Sequence, residues 1–352
     1  MLTRGYGMTN GKKSLWSVLR ANLKKNRTAL ASIWIILFFF LVSILAPLIA
    51  NDKPLILIGE NRIYAPALSD YTLLKPIIPL PDLPSGEWRE LVAGGKWRAL
   101  FPPVPYSFKS TDLDSVLHAP DSHHLMGTDS LGRDVLSRMI HGSTISLKVG
   151  IIAMGISLLI GVIVGSLAGY YRGVTDIIIS RIIEIVMCFP ALFLILAVIA
   201  INPPIIRRIE PLYKIMMVIG LISWTGIARY VRGEFIKLKE VEYTHAARAL
   251  GAKNLRIIFR HILPNSLAPV LVSAAFGIAG AILTESSLSF LGLGIQPPSP
   301  SWGSILSEAQ RYIQHAWWLA VFPGSAIFLT VLSYNLLGEG IRDSFDPRML
   351  EK

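Results

Sequence analysis

A single cysteine, Cys188, occurs in the chain, which excludes an intrachain disulfide and any cysteine-built metal site. Charge is scarce as well: 16% of the 352 residues are Asp, Glu, Lys or Arg, against 52% hydrophobic residues. That ratio gives more apolar surface than a water-soluble chain of this length buries in one or two cores, so the expected solvent is a bilayer. No G-x-x-x-x-G-K-[ST] phosphate loop is present, so the chain is not expected to hydrolyse ATP itself. A membrane enzyme would need His, Asp or Glu clustered at membrane depth, and a channel would need a ring of charges or a carbonyl-lined filter; the sequence offers neither.

What is present is a set of long apolar runs. A hydrocarbon core of about 30 Å takes roughly 20 apolar residues in a helix. Uncharged runs cover 28–50, 149–171, 185–206, 262–284 and 316–338. A sixth, 215–228, is short, and reaches a full span when Leu212 and Tyr213 join it and Lys214 snorkels to the interface. The first run is longer than a signal-peptide core and lacks an A-x-A-like end, so a retained anchor is expected. No ionisable residue lies inside these runs, which argues against a proton relay or an ion-coupled carrier.

The net charge of +11 is unevenly placed. Residues 1–28 carry seven basic side chains and no acid, and residues 229–262 carry eight basic and three acidic ones. Residues 51–147 carry nine basic against eleven acidic. Basic flanks stay in the cytoplasm, so six crossings place both termini, 172–184 and 229–261 inside, and 51–143, 202–214 and 285–315 outside. Arg207 and Arg208 are the local exceptions. A nucleic-acid surface would need a basic, aromatic-interleaved face on a soluble domain, and none is legible.

The domain reading is a basic tail at 1–28, a first membrane helix at 29–50, a Pro-rich extracytoplasmic segment at 51–143, a five-helix core at 144–345 and a cytoplasmic tail at 346–352. Ten prolines between Pro54 and Pro120 argue for extended, irregular structure in the segment. Tyr64, Tyr71, Trp88 and Trp97 fill a small core or anchor at headgroups. Gly161, Gly165 and Gly169 share one helix face, as do Gly277 and Ala281, and each face permits close helix approach. His118, His123 and His124 with Asp121 have a metal-like composition, but no metal site is expected from the adjacent pair.

The stretch EYTHAARALGAKNLRIIFRHILP, residues 242–264, interrupts the apolar half. Glu240 and Glu242 suit a helix start. Ala246, Ala247, Ala249 and Leu250 give a compact apolar surface, and Gly251 suits a left-handed stop. Asn254 is expected to cap a second helix with Leu255, Ile258, Phe259 and Ile262 on its apolar side. Leu263 and Pro264 lead into the next span. Two readings satisfy this pattern: a docking helix seated in a groove of another protein, or an amphipathic helix lying on the membrane.

The stretch resembles the EAA loop of ABC-transporter permease subunits. Ala246, Ala247, Gly251, Leu263 and Pro264 match its pattern, while His245 stands where the family has an acid and His261 where it usually has isoleucine. Glu242 is a candidate substitute for the missing acid. Three further stretches are similar to the C-type dipeptide and oligopeptide permeases: LKKNRTALASIWII, GTDSLGRDVLSRMIHGSTISLKVG and ESSLSFLGLGIQPPSPSWG. Together the resemblance covers roughly 15–50 and 120–348, and the long insertion is similar to the subset associated with microcin C and oligopeptide uptake.

The resemblance implies an all-α integral membrane subunit of the type I ABC importer permease fold, with six transmembrane helices and both termini cytoplasmic. It implies a peptide importer working by alternating access, with nickel or another small solute as the alternative cargo. The implied partners are a second homologous permease, two ATP-binding subunits, an extracytoplasmic solute-binding protein and membrane lipid. No cofactor and no catalytic residue are expected. Docking to the ATPase falls on Glu242, His245, Ala246, Ala247, Gly251, Leu263 and Pro264. Asp129, Arg133 and Asp134 read as a local ion-pair cap, or as part of an outer gate or binding-protein contact. Glu285 and Trp302 share the gate reading, with Trp302 also suited to interfacial anchoring.

Overall fold

The computed structural model describes residues 26–59, 62–71, 97–203 and 207–345, together with Leu23, Trp88 and Val92. Most of the expected 1–28 tail and all of the 346–352 tail lie outside the described residues, as does most of the 72–96 stretch. Helices dominate. Helix α1 (Arg27–Ile49) is capped by Asn26, whose side chain accepts from the Ala29 N–H at 3.1 Å. After it come three short strands, β1 (Ile56–Gly59), β2 (Arg62–Tyr64) and β3 (Arg98–Leu100), in an antiparallel sheet of order β2-β1-β3. Irregular structure was expected there. The prolines do exclude long elements, but Ile56–Gly59 is free of them and pairs on both sides. Trp88 is buried, and Tyr71 donates to the Ile44 carbonyl at 2.7 Å, tying the segment to α1.

Helix α2 (Val135–Tyr171) is 37 residues long and begins fourteen residues before the apolar run. Asp134 caps it by accepting from the Ser137 N–H at 2.7 Å, so the segment boundary expected at 143 moves back to 134. The early start is possible because Arg138, Ser143 and Ser146 turn inward to protein partners rather than to lipid. The early start also places Arg138, His141 and Lys148 on the helix ahead of the apolar run 149–171.

The apolar run 185–206 is not one straight helix. Helices α3 (Gly173–Met187) and α4 (Ala191–Ile201) meet at 83°. Pro190 is the cause: it cannot donate to the preceding turn and its ring disfavours helical backbone at Phe189. The run 215–228 lengthens in both directions into α5 (Pro211–Lys239), because its charged end continues the helix with Lys237 and Lys239 in the last turn, where the dipole favours them. Helices α6 (Glu242–Ala249), α7 (Leu263–Phe290), α8 (Trp302–Tyr312) and α9 (Trp318–Ser344) complete the order. Among the described residues five helices are long and apolar enough to cross a membrane, or six if the bent α3–α4 pair counts as one span.

The glycine ridge sets the packing of α2 on α5. A Cβ at Gly161 would stand 2.7 Å from Ile227 Cβ, one at Gly165 2.5 Å from Ala228 O and one at Gly169 2.6 Å from Phe235 Cβ. The two backbones therefore approach as the four-residue spacing predicts. Ser157 donates to the Gly220 carbonyl at 2.9 Å in the same seam. Gly277 of α7 faces Met154 of α2. The bundle thus has two ends, one beside the sheet and α8, the other at the loop between α5 and α7.

Candidate functional site

At the loop end, α6 is a two-turn helix that starts after Val241, with Glu242 in its first turn. Gly251 stops it at φ +80°, a left-handed conformation that costs a side chain about 1–2 kcal/mol. The Gly251 and Ala252 amides return to the Arg248 and Ala247 carbonyls at 3.0 and 3.1 Å, closing the helix end. The alanines divide between two faces. Ala247 and Thr244 are buried, with the Thr244 hydroxyl donating to Leu238 O at 2.9 Å, while Ala246, Ala249 and Leu250 are exposed. Ala247 therefore seats the helix and Ala246 belongs to its free face.

Asn254 does not cap the following turn; Lys253 occupies that position, and the Asn254 side chain accepts from the Tyr170 hydroxyl at 2.8 Å. The chain then winds through a π-helical turn, Ile257–Ile262, directly into α7. The wider turn shifts the apolar face, so Ile257, Ile258 and Ile262 join Val231 and Phe235 in the core while Leu255 and Phe259 point outward. Leu263 packs beside the same cluster, and Pro264 sits in the first turn of α7. Leu250 at 89%, Leu255 at 64% and Phe259 at 63% exposure form an apolar face among Arg248, Lys253, Arg256 and Arg260.

Glu240, rather than Glu242, meets His245. Its two oxygens lie 3.0 Å from Arg172 Nη1 and 3.5 Å from His245 Nε2, whereas Glu242 is exposed and makes no ion pair among the described residues. Lys239 donates to Tyr170 O at 2.6 Å, and Arg172 to Ile236 O at 3.1 Å. The last turn of α2 is consequently tied to the end of α5 and to Glu240 and Asn254 on either side of α6, and α6 itself is held by Leu238 and Glu240. Arg232 of α5 also forks onto the Asp176 carboxylate of α3, one contact being 2.6 Å.

At the other end the polar groups are buried. Asp129 accepts from the Leu131 and Arg133 amides at 2.8 and 3.0 Å and from Arg133 Nε at 2.7 Å, and it also pairs with Arg138. Glu308 of α8 receives both guanidiniums, at 3.1 Å from Arg133 and 2.7 Å from Arg138. Asp134 pairs with His124 Nδ1 at 2.8 Å, and burial raises its carboxyl above the usual range while the His124 contact opposes the rise. Glu285 is fully buried, its Oε1 accepting from Ser289 and Ser301 at 2.6 and 2.8 Å. Trp302 is also fully buried, donating from Nε1 to Met139 O at 3.2 Å and packing edge-on to Phe39 at 5.2 Å. Trp302 thus does not anchor at a membrane interface; the glycine at 142 leaves the space its ring occupies against α2.

The structure therefore brings Asp129, Arg133 and Asp134 into one neighbourhood and Glu285 with the Trp302 segment into an adjoining one. Sequence reasoning missed Arg138, Glu308, Arg172 and Tyr170, and it assigned Glu240 to a helix start rather than to a contact with His245. Arg138 carried a signal, being a second basic residue near Asp129 and Asp134; Glu308 stands 170 residues away and carried none. The histidine group divides: His118 and Asp121 interact at 3.7 Å at the surface, and His124 turns to Asp134.

A cavity of about 990 Å³ opens between α3 and α5, with Ser180, Glu184, Cys188, Arg229 and Tyr230 on its walls. A smaller one of about 370 Å³ shares Gly226 and Tyr230 with it and extends between α2, α5 and α7 past Ser157, Ser223 and Ser273.

Residues 161–351 match the family described as binding-protein-dependent transport system inner membrane component, and residues 14–75 match the N-terminal TM domain of oligopeptide transport permease C. The chain is 42% identical over 253 residues to a dipeptide transport system permease protein of Alkalihalophilus pseudofirmus, covering 71% of this chain and 81% of the relative. It is 42% identical over 247 residues to a glutathione transport system permease protein of Pectobacterium atrosepticum, covering 70% and 80%. A peptidoglycan transport system permease protein of Agrobacterium fabrum is 33% identical over 357 residues, covering 93% and 91%. The chain belongs to the family of inner membrane components of binding-protein-dependent transport systems.

Proposed function

We propose that this inner membrane permease subunit moves peptides into the cell by alternating access, driven by ATP-binding subunits that are separate chains and dock on α6. The names of its relatives, dipeptide, glutathione and peptidoglycan, support a peptide as the solute. The observation that carries the coupling is the free face of the α5–α7 loop: Ala246, Ala249, Leu250, Leu255 and Phe259 are exposed on an element whose other side is bonded to α2 and α5 and continuous with α7. A push on that face reaches three spans at once. His245 and Glu242 lie at its edge, with His245 oriented by Glu240. The arginines fit acidic groups on the docking partner.

In this reading both termini, the 1–28 and 346–352 tails and the 229–261 loop are cytoplasmic, and the 51–134 segment faces outward toward a solute-binding protein. A second homologous permease completes the path. Asp129, Arg133, Asp134, Glu285 and Trp302 hold the outer gate, a role their burial favours over direct contact with the binding protein. The solute path runs through the cavity between α3 and α5, where Glu184 and Arg229 offer opposite charges to the two ends of a peptide.

The test replaces Ala246 by Glu and, separately, Gly251 by Pro in the assembled transporter. Uptake should fall at least tenfold while membrane insertion and basal ATP hydrolysis persist. Normal uptake in both variants would overturn the docking role.

A further inference from the structure

A third cavity, of about 760 Å³, lies at the sheet end between α1 and α2, away from both the loop and the α3–α5 cavity. Two bonds fix its depth. His141 Nε2 donates to Ala50 O at 2.8 Å, and Thr144 Oγ1 donates to Ser43 O at 2.9 Å, so α2 runs antiparallel beside α1. Lys148, one turn beyond Thr144, lies seven residues, about 10 Å, along α2 from the His141 contact with Ala50. It is the last residue before the uncharged run 149–171, which by itself spans a hydrocarbon core of about 30 Å, so Lys148 stands at the sheet-side edge of that core. It is exposed, lines the cavity and makes no ion pair among the described residues.

A lysine at that edge can carry its head to water or to an anion at headgroup level while its stem lies along apolar surface. The cavity gives it that route. At the upper wall Lys109 is exposed and likewise without an ion pair among the described residues, its ammonium 5.2 Å from the Phe108 ring. The other charged groups account for themselves. Lys53 is paired with Asp70, and Asp70 also accepts from Asn51 at 2.8 Å. His141 is held by Ala50 O, and Asp52 is the one carboxylate on the wall without an ion pair among the described residues. Two free ammonium groups face one free carboxylate, leaving a net positive site.

The remaining wall identifies what fits. Helix α1 is peripheral, with 17% of its apolar window buried, and Phe40, Leu41, Ile44 and Leu45 are exposed beside the cavity mouth. An occupant must therefore be anionic at the top and aliphatic below. We propose that this cavity binds the phosphate diester of a glycerophospholipid in the outer leaflet, held by Lys109 and Lys148, with acyl chains lying along Phe40, Leu41 and Ile44. Asp52 then meets the ammonium of an ethanolamine headgroup where one is present. The lipid neutralises Lys148 and fills the gap between α1 and the core, so it fastens the peripheral helix.

The full chain, purified in mild detergent and delipidated, is titrated with phosphatidylethanolamine, with phosphatidylglycerol and with inorganic phosphate, and bound molecules are counted by native mass spectrometry. The expected result is one phospholipid per chain, retained at least tenfold more tightly than in Lys109→Gln/Lys148→Gln and unaffected by millimolar inorganic phosphate. Lys148→Arg should keep the lipid. The double Gln variant removes two exposed charges that hold no ion pair among the described residues, so its folding, checked by thermal unfolding, should survive. Equal lipid retention by the double variant would overturn the proposal. So would displacement by inorganic phosphate, which would make this a free-anion site, or a disulfide between Lys148→Cys and a cysteine in the second permease, which would make it a subunit interface.

Discussion

The two ends of the bundle solve the same problem in opposite ways. Beside α8, charged groups are withdrawn from water: Asp129, Arg133 and Arg138 are all at most 7% exposed and meet Glu308 across the fold. At the loop, Glu240 and His245 are each 53% exposed, and large apolar side chains point away from the chain. A buried ion network holds elements in one register, because removing any member strands the others. An exposed pair with free hydrophobic neighbours holds little by itself and leaves a surface for another protein. The difference teaches where the chain is self-sufficient and where it is completed from outside.

Breaking the buried end should have the largest effect. Arg138→Ala leaves Asp129 and Glu308 short of a cation in a dry setting, with an expected cost of about 3–5 kcal/mol. Thermal unfolding in detergent should show a large loss of stability, and an unchanged midpoint would mean that water already reaches the network. Removing the exposed pair is the contrasting case: Glu240→Gln should cost less than about 1 kcal/mol, a value salt screens further. If it proved as damaging as Arg138→Ala, the loop would be a structural joint and the contrast between the ends would fail.

The sequence was most legible where a repeat or a special backbone conformation was required. The spacing of Gly161, Gly165 and Gly169 predicts the close approach of α5, and Gly251 predicts the left-handed stop that the chain makes. The apolar runs give the spans, but not their ends, because charged residues that turn toward protein partners continue a helix past the lipid-facing stretch. Arg138 and Lys239 are of that kind. The bend at Pro190 had a local cause in plain view, yet an unbroken apolar run conceals it. Other features had no local trace. Glu308 meets Arg138 only after the bundle closes, Glu240 reaches His245 only because α5 ends one residue before it, and the π-helical turn reassigns the faces of Leu255 and Phe259.

The central claim is that the exposed face of the α5–α7 loop lies in the cytoplasm and is covered by ATP-binding subunits. Labelling of Leu250→Cys with a membrane-impermeant thiol reagent, in a Cys188→Ser background, tests this most directly. The account predicts no labelling in intact cells, strong labelling in inside-out vesicles stripped of the ATP-binding subunits, and protection when those subunits are restored. Labelling from outside intact cells, or equal labelling with and without the ATP-binding subunits, would contradict it.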